Sequence, residues 1–170
     1  MRRPICLSTS TERSEHKSED IEARGCEFQN MKAHLTRRYR FSASHRLNSA
    51  EMSADENRAT YGKCNNPHGH GHNYALEVTV SGRVDDRTGM VCNLADLDGC
   101  VEREIVSRYD LENLNTLEEF TRSVPTTENL CIEIFEILQR DFHLAHLERV
   151  RLDETMMNSF EYAGGDEPKR

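Results

Sequence analysis

Two stretches of the chain alternate apolar and polar side chains with the period of a half-buried β-strand. In the first, alternate positions between residues 35 and 42 are occupied by Leu35, Arg37, Tyr39 and Phe41. In the second, Ala75, Glu77 and Thr79 separate the positions Tyr74, Leu76, Val78 and Val80. Residues 48–66 are polar and close in a Gly-Lys-Cys-Asn-Asn-Pro turn, so we expect a loop between the two strands.

Two helices are predicted after the second strand. Residues 84–89 have the composition of a hairpin turn that leads into residues 90–94. Asn93 is then a suitable N-cap for a helix that ends near Arg108, with a stripe made of Leu94, Leu97, Val101 and Ile105. A second helix is predicted to open at residues 125–128, where Pro, Thr and Glu suit the first turn. Its stripe consists of Leu130, Cys131, Ile134, Phe135 and Leu138.

The end of the chain returns to a strand pattern. Val150, Leu152 and Glu154 share one face of a strand, and residues 159–162 form a further short one. Strands that come before and after two helices, with no internal repeat, predict an α+β domain built on an antiparallel sheet.

The first 34 residues differ in composition from the rest. Residues 8–24 hold almost no apolar side chains and cannot bury enough surface to fold. The N-terminal run is too short and too polar for a signal peptide. We therefore expect a disordered N-terminal extension over residues 1–34, a folded domain over residues 35–163 and a short flexible tail over residues 164–170.

The charge and the cysteine content limit the classes of binding partner and the cellular compartments that we expect for this chain. The 170-residue chain has 22 Lys and Arg against 30 Asp and Glu, a formal net charge of -8, which argues against nucleic acid or an anionic membrane as partner. No stretch approaches the roughly 20 apolar residues of a membrane-spanning helix. The six cysteines form no CxxC pair, which favours free thiols and a cytoplasmic location.

Side chains that can bind a metal ion or take part in catalysis are concentrated in the run Cys-Asn-Asn-Pro-His-Gly-His-Gly-His, which ends at His72. His70 and His72 have the same parity as Tyr74, so both imidazoles leave one face if the strand begins early. With a third imidazole they form a three-nitrogen zinc site with an open fourth position. His45, at the end of the first strand, is the natural third ligand, and His68 is its competitor. The alternative interpretation is a solvated, histidine-rich turn.

Two further side chains carry candidate chemistry. Cys64 lies in a polar turn beside Lys63, and an adjacent ammonium or metal lowers a thiol pKa and favours the thiolate. The alternative is a small buried hydrophobe. Glu154 continues an apolar face, so an inward carboxylate would need strong donors, such as the N–H edge of a pterin or guanine. The alternative is a strand that frays before Glu154 and leaves it solvated.

Four ordered motifs cover nearly all of the predicted domain. They are Phe-Ser-Ala-Ser-His45-Arg-Leu, Gly-Lys-Cys64-Asn-Asn-Pro-His-Gly-His70-Gly-His72-Asn, Thr-Gly-Met-Val-Cys-Asn-Leu-Ala-Asp96-Leu and Pro-Thr126-Thr127-Glu128-Asn. Together they resemble the 6-pyruvoyl-tetrahydropterin synthase family, from about Thr36 to Tyr162. The resemblance implies a T-fold (tunnelling fold), an antiparallel four-stranded sheet with two helices packed on one face, assembled as a homohexamer that is a dimer of trimers.

The resemblance also implies the residues of the site. By this resemblance the zinc ligands are His45, His70 and His72, and His68 is not a ligand. The catalytic residues that it implies are Cys64 and Asp110. It makes Glu154 the anchor of a pterin, supported by Thr126, Thr127 and Glu128 at the start of the second helix.

The substrate that the resemblance implies is 7,8-dihydroneopterin triphosphate. Zinc would hold the side-chain oxygens as Lewis acid and template, and the Cys64 thiolate would move protons as general base. Elimination of triphosphate and an internal redox shift then give 6-pyruvoyltetrahydropterin, in a tetrahydrobiopterin-type pathway. Lys63, Arg46 and residues of a neighbouring subunit are candidate cations for the triphosphate.

One segment departs from the family pattern. The family has a segment of the type Asp-His-Lys-Asn-Leu, whose Asp-His pair assists the cysteine, and the matching segment here is Asp110-Leu111-Glu112-Asn113-Leu114. Leucine can neither orient a thiol nor carry a proton, and loss of a positioned acid–base group lowers a rate by roughly 10² to 10⁴.

Two alternatives follow for the function. One is a 6-carboxytetrahydropterin synthase, which releases acetaldehyde and triphosphate and feeds queuosine and 7-deazaguanine formation. The spacing from Cys64 to His70 resembles the pyruvoyl type more than this carboxy type. The other is a catalytically impaired member that keeps a zinc and pterin pocket, because Leu111 replaces the histidine.

Overall fold

Two long strands form the centre of the fold. β1 (Lys32–His45) and β2 (His70–Arg83) each have 14 residues and pair antiparallel along their whole length. The computed structural model describes residues 31–165, so most of the predicted extension over residues 1–34 and the end of the predicted tail over 164–170 lie outside the described residues. β1 begins at Lys32 rather than at residue 35.

Four strands pair antiparallel, as predicted, and a fifth strand adds to one edge. The order across the sheet is β3-β1-β2-β4-β5, where β3 is Glu112–Asn113, β4 is His146–Asp153 and β5 is Ser159–Tyr162. β3 pairs parallel to β1 over two residues. A strand this short shows no alternation along the sequence, and the predicted four-stranded sheet therefore omits it.

Two connections differ from the predicted elements. α1 (Ala54–Tyr61) lies in the stretch predicted as a loop. It starts with a capping box, in which the Ser53 hydroxyl accepts from the Glu56 N–H and the Glu56 carboxylate accepts from the Ser53 N–H. After β2 the chain turns, but residues 90–93 form no strand, so the predicted second arm of a hairpin is wrong.

α2 (Leu94–Val101) begins at the predicted N-cap, because the Asn93 side chain accepts a backbone hydrogen bond at 3.0 Å. Residues 91 and 92, directly before the cap, form a bend instead of a strand. A π-helical turn (Glu102–Val106) and a last turn (Ser107–Tyr109) continue the helix. Leu94 is exposed in the first turn, whereas the rest of the predicted stripe is buried, namely Leu97, Val101 and Ile105.

α3 (Thr127–Asp141) packs on β4 and β5 and covers the same face of the sheet as α2. The Thr126 hydroxyl accepts from the Asn129 N–H at 3.3 Å and caps the helix. The predicted stripe is buried in full, namely Leu130, Cys131, Ile134, Phe135 and Leu138. No helix within residues 31–165 is long and apolar enough to cross a membrane.

Candidate metal centre and active site

Three imidazoles meet where the β1–β2 pair ends. His45 is the last residue of β1 and lies opposite His70, the first residue of β2. Directly opposite residues of an antiparallel pair project from the same face, and His72 follows on that face two residues later. Because this face carries the core, His45 is only 2% exposed and the other two histidines are half-buried.

The three side chains are close enough to share one ion. The ring centroids lie 4.7 Å apart for His45 and His70, 5.1 Å for His45 and His72, and 4.8 Å for His70 and His72. One nitrogen of each ring lies within 4.8 Å of the others, and the Nε2 atoms of His45 and His70 are 3.2 Å apart. Nitrogens about 2.0–2.1 Å from a tetrahedral ion are about 3.3–3.4 Å apart. The alternative interpretation, a solvated histidine-rich turn, does not agree with this close arrangement of the three rings.

A backbone carbonyl orients His45. Its Nδ1 lies 2.7 Å from the carbonyl oxygen of Pro125. A carbonyl oxygen only accepts, so Nδ1 carries the proton and Nε2 presents a lone pair to the other imidazoles. This is the tautomer that a metal ligand requires. From the sequence, Pro125 is interpreted only as part of a helix start, and this contact is not predicted. Every residue has a backbone carbonyl, so the identity of residue 125 does not reveal that its carbonyl is the acceptor.

The surroundings of His45 and His72 favour their neutral form. Burial lowers the pKa of His45, against the hydrogen bond to Pro125, and the two neighbouring histidines lower it further. Burial also lowers the pKa of His72, against the opposing effect of Glu154. Within residues 31–165, the buried Nε2 of His72 has no hydrogen-bond partner. A divalent metal ion needs nitrogens with free lone pairs, and each of the three side chains offers one nitrogen close to the other two, so they fit such an ion.

A glycine between the histidines allows the two strand ends to meet. Gly69 has a φ of 68°, and a Cβ at this position would lie 2.8 Å from the carbonyl oxygen of His45. Glycine alone tolerates both conditions. The sequence shows a glycine between two histidines. Its role cannot be predicted from the sequence, because that role depends on the close contact with His45 in the folded structure. His68, the competing ligand, is exposed in the same turn and outside the cluster.

Glu154 closes the site from the end of β4. Thr127 donates its hydroxyl to Glu154 Oε1 at 2.6 Å. The same oxygen lies 3.6 Å from His72 Nε2 and 4.0 Å from His45 Nε2. Although β4 ends at Asp153, the Glu154 side chain is only 15% exposed, so its carboxylate points inward rather than into solvent.

The structure separates the other residues predicted to bind a pterin. Thr127 is buried and contacts Glu154. Thr126 uses its hydroxyl to cap α3, and Glu128 is exposed in the first turn of that helix. Thr127 and Glu154 therefore come together, whereas Thr126 and Glu128 make no side-chain hydrogen bond to Glu154 or the histidines within residues 31–165.

Cys64 is a free, half-buried thiol in a short 3₁₀ turn (Gly62–Asn65). Its carbonyl accepts from the Leu47 N–H at 2.9 Å, which holds the turn beside the end of β1. Burial raises the pKa of the Cys64 thiol, and the charge of Glu154 raises it further. The predicted lowering by Lys63 is wrong, because this side chain is exposed and does not offset those two effects.

Asp110 and Leu111 lie at the edge of the sheet. Asp110 Oδ1 accepts from the Ser42 N–H at 2.7 Å, and the Leu111 N–H donates to the Ser42 carbonyl at 2.6 Å. Leu111 is 84% exposed and has a φ of 62°, the one positive value among the non-glycine residues of the described range. Within that range Asp110 has no hydrogen bond to Cys64, so the structure does not join these two predicted catalytic residues in one chain.

A polar cleft of about 360 Å³ opens beside His45. Arg46 lines it and donates to the Asn65 carbonyl and the Asn48 side chain, both at 3.3 Å. Of the two cations predicted for a triphosphate, Arg46 therefore borders the histidine site, whereas Lys63 is exposed and does not line this cleft.

The architecture places this chain among the α+β proteins of the T-fold class, as predicted. The solved structure of Caenorhabditis elegans 6-pyruvoyl tetrahydropterin synthase matches it with a TM-score of 0.76 and 39% identity, over 79% of this chain and 97% of that one. The sequence model of the 6-pyruvoyl tetrahydropterin synthase family matches residues 34–165. The chain belongs to the 6-pyruvoyl tetrahydropterin synthase family.

Relatives carry two different names. The human 6-pyruvoyl tetrahydrobiopterin synthase is 46% identical over 133 residues, 78% of this chain and 92% of the human one. A protein of Archaeoglobus fulgidus, provisionally named 6-carboxy-5,6,7,8-tetrahydropterin synthase, is 36% identical over 107 residues, 62% of this chain and 84% of its own. Family membership makes this chain an enzyme of the lyase type, as predicted.

Proposed function

We propose that the protein is a zinc-dependent lyase that eliminates triphosphate from 7,8-dihydroneopterin triphosphate to give 6-pyruvoyltetrahydropterin. The observation that carries this proposal is the pair of Thr127 and Glu154 beside the three histidines. A carboxylate beside three candidate metal ligands supports a site that binds a pterin and a metal ion together. The names of the human and C. elegans relatives support the same activity.

The ion would be held by His45, His70 and His72, whose three nitrogen donors suit zinc. When bound, zinc supplies Lewis acidity towards oxygens of the substrate side chain. The protein's own part is to hold the three lone pairs ready. The hydrogen bond from His45 to Pro125 fixes one of them, and burial favours the neutral form of His45 and His72.

Glu154 would bind the pterin by its N–H edge. Thr127 occupies Oε1, while Oε2 accepts no hydrogen bond from any residue of the described range. An ionised carboxylate makes short, charge-assisted hydrogen bonds with such an edge, and these bonds also fix the orientation of the planar ring. Thr127 holds the carboxylate in place for this contact.

Cys64 would act as the general base. In the free protein, burial and the Glu154 charge raise the pKa of the thiol. Hydrogen bonds from the N–H groups of a pterin to Glu154 would spread the carboxylate charge and weaken the second of these two causes. A weaker effect of Glu154 favours the thiolate.

We further propose a cytoplasmic homohexamer, a dimer of trimers, that serves a tetrahydrobiopterin-type pathway. The exposure of Asp110 and Leu111 at the sheet edge supports an assembly. Asp110 has no hydrogen bond to Cys64 of its own chain within residues 31–165. A catalytic role for Asp110 therefore calls for the Cys64 of a neighbouring copy.

Two other candidate functions each have a specific observation in their favour. The name of the A. fulgidus relative supports a 6-carboxytetrahydropterin synthase of the queuosine pathway, which releases acetaldehyde and triphosphate. Leu111 supports a catalytically impaired member that keeps the zinc and pterin pocket, because leucine cannot transfer a proton.

The test is turnover of 7,8-dihydroneopterin triphosphate by the zinc-loaded full chain, with the products separated by mass. We expect triphosphate and 6-pyruvoyltetrahydropterin, whereas acetaldehyde with 6-carboxytetrahydropterin would select the first alternative. Cys64→Ser is the matched inactive control. It is expected to lose turnover while it keeps its zinc content.

The variant Leu111→His separates the lyase from the impaired member. Leu144→His is its control, because it places the same side chain at another exposed leucine. Turnover by Leu111→His alone would show an impaired enzyme with an intact pocket. If the native chain, Leu111→His and Leu144→His all fail to react while zinc stays bound, the proposal of a lyase is overturned.

A further inference from the structure

Tyr74 is a tyrosine of β2 whose side chain is fully buried. The side chain is 1% exposed, and its ring stacks on Phe41 with 5.1 Å between centroids and 25° between planes. Within residues 31–165 its hydroxyl has no hydrogen-bond partner. Buried hydroxyls nearly always find a partner, so a rigidly held hydroxyl without one calls for an explanation.

The unpartnered hydroxyl belongs to the candidate active site. Tyr74 lies two residues after His72 on the same face of β2, and their ring centroids are 5.6 Å apart. The Glu154 carboxylate and the Cys64 sulfur also lie near it. The phenol hydroxyl has one proton that it can donate.

The neighbouring polar groups do not satisfy this hydroxyl. Thr127 is the nearest hydroxyl and donates its proton to Glu154 at 2.6 Å, and no hydrogen bond of ordinary length joins it to the Tyr74 hydroxyl. The Tyr74 hydroxyl forms no hydrogen bond with Glu154 either. Within residues 31–165, Glu154 Oε2 therefore offers an unused acceptor and the Tyr74 hydroxyl an unused donor beside the histidine cluster.

We propose that the Tyr74 hydroxyl binds the substrate by donating a hydrogen bond to a hydroxyl oxygen of its side chain, beside the three histidines. This inference rests on the proposed function. It follows from complementarity: the pterin ring offers N–H donors, which suit Glu154, whereas the hydroxylated side chain offers oxygen acceptors. Tyr74, adjacent to His72, stands where such a side chain reaches the metal ligands.

Tyr109 provides a matched control. It is also fully buried, its hydroxyl also has no hydrogen-bond partner within residues 31–165, and its ring packs near Phe41 at 6.1 Å. Its charged neighbours are Arg108 and Glu119 rather than Glu154 and Cys64. Tyr109→Phe therefore removes the same hydroxyl from the same kind of environment outside the site.

The experiment compares two probes on the zinc-loaded full chain. 7,8-Dihydroneopterin has the hydroxylated side chain, and 6-methyl-7,8-dihydropterin has the same ring without it. For Tyr74→Phe we expect dihydroneopterin to bind about three- to tenfold more weakly, the effect of one neutral hydrogen bond, with no change for the methyl probe. Tyr109→Phe is expected to change neither dissociation constant.

Zinc content and the melting temperature accompany both variants. Because the hydroxyl has no hydrogen-bond partner among residues 31–165, Tyr74→Phe is expected to keep its zinc and to melt at the same temperature or higher. Unchanged binding of dihydroneopterin by Tyr74→Phe would overturn the inference, as would an equal loss of both probes together with zinc. A native chain that binds neither probe would instead overturn the proposed function, and the inference with it.

Discussion

The Nδ1 of His45 donates a hydrogen bond to the carbonyl of Pro125 over 2.7 Å and thereby ties the end of β1 to the start of α3. Two residues later Thr127 donates to Glu154. One short segment, residues 125–127, therefore orients a candidate metal ligand and a candidate pterin anchor together. Metal binding and pterin binding are expected to respond jointly when this segment is disturbed.

The variant Gly69→Ala is expected to weaken zinc binding and to destabilise the protein by about 1–3 kcal/mol, although residue 69 is not a ligand. The added Cβ would lie 2.8 Å from the carbonyl oxygen of His45, at a φ of 68°. Gly89→Ala is the control, since Gly89 has a φ of 71° with nothing within 4 Å. Urea unfolding and a zinc titration measure both effects, and equal zinc affinity in the two variants would contradict this account.

Alkylation of Cys64 by iodoacetamide is expected to be slow at neutral pH in the metal-free protein. Burial and Glu154 raise the pKa of the thiol above its ordinary value of 9.0, so at any lower pH less thiolate is present than in a free cysteine. Glu154→Gln removes the second cause and shifts the rate profile to lower pH. Glu136→Gln, a change at an exposed glutamate, leaves the profile in place.

Mass spectrometry of the Cys64 peptide separates this thiol from the other cysteines. A profile for the native protein at or below the pH of a free thiol would show that burial and Glu154 do not control its protonation.

The variant Leu111→Gly is expected to keep or raise stability, by up to about 1 kcal/mol. The side chain is 84% exposed and buries little surface, while its φ of 62° is strained for leucine and free for glycine. Leu144 is 60% exposed without a positive φ, so Leu144→Gly is expected to lose about 0.4–1 kcal/mol. Guanidinium unfolding gives both values, and a larger loss at Leu111 would rule out stored strain.

The variant Thr127→Val is expected to destabilise the protein by about 1–3 kcal/mol and to weaken binding of 7,8-dihydroneopterin. It keeps the shape of the side chain but leaves Glu154 Oε1 without the donor that lies 2.6 Å away. Thr127→Ser restores a hydroxyl and is expected to recover most of both losses. Thermal unfolding and a fluorescence titration compare the three proteins, and identical behaviour of the valine and serine variants would refute the role of the hydroxyl.

Local alternation was enough to predict the arrangement of His70 and His72. The period of two places both with Tyr74 on the core face of β2, and the position of His45 at a strand end brings it opposite. The stripe of α3 was predictable for the same reason, because each of its members faces one layer of the sheet.

Features that depend on contacts distant in sequence were not predictable in this way. The Pro125 carbonyl, the pairing of Leu111 with Ser42 and the effect of Glu154 on Cys64 all join segments that are far apart along the chain. The capping residues Ser53 and Glu56 indicate the start of α1 in the sequence. Its apolar side chains show only a weak helical periodicity, which is typical of a loop.

The 14-residue pairing of β1 with β2 puts His45 opposite His70 in one alignment alone. A slip of one residue would turn the side chains of one strand to the other face and take His45 away from its two companions. An ion bound by all three histidines therefore recognises correctly aligned strands and has no comparable site in a shifted pair. The free energy of metal binding and the burial of the hydrophobic core favour the same alignment of the two strands. A bound metal ion would therefore stabilise the correctly paired fold in addition to its role in catalysis.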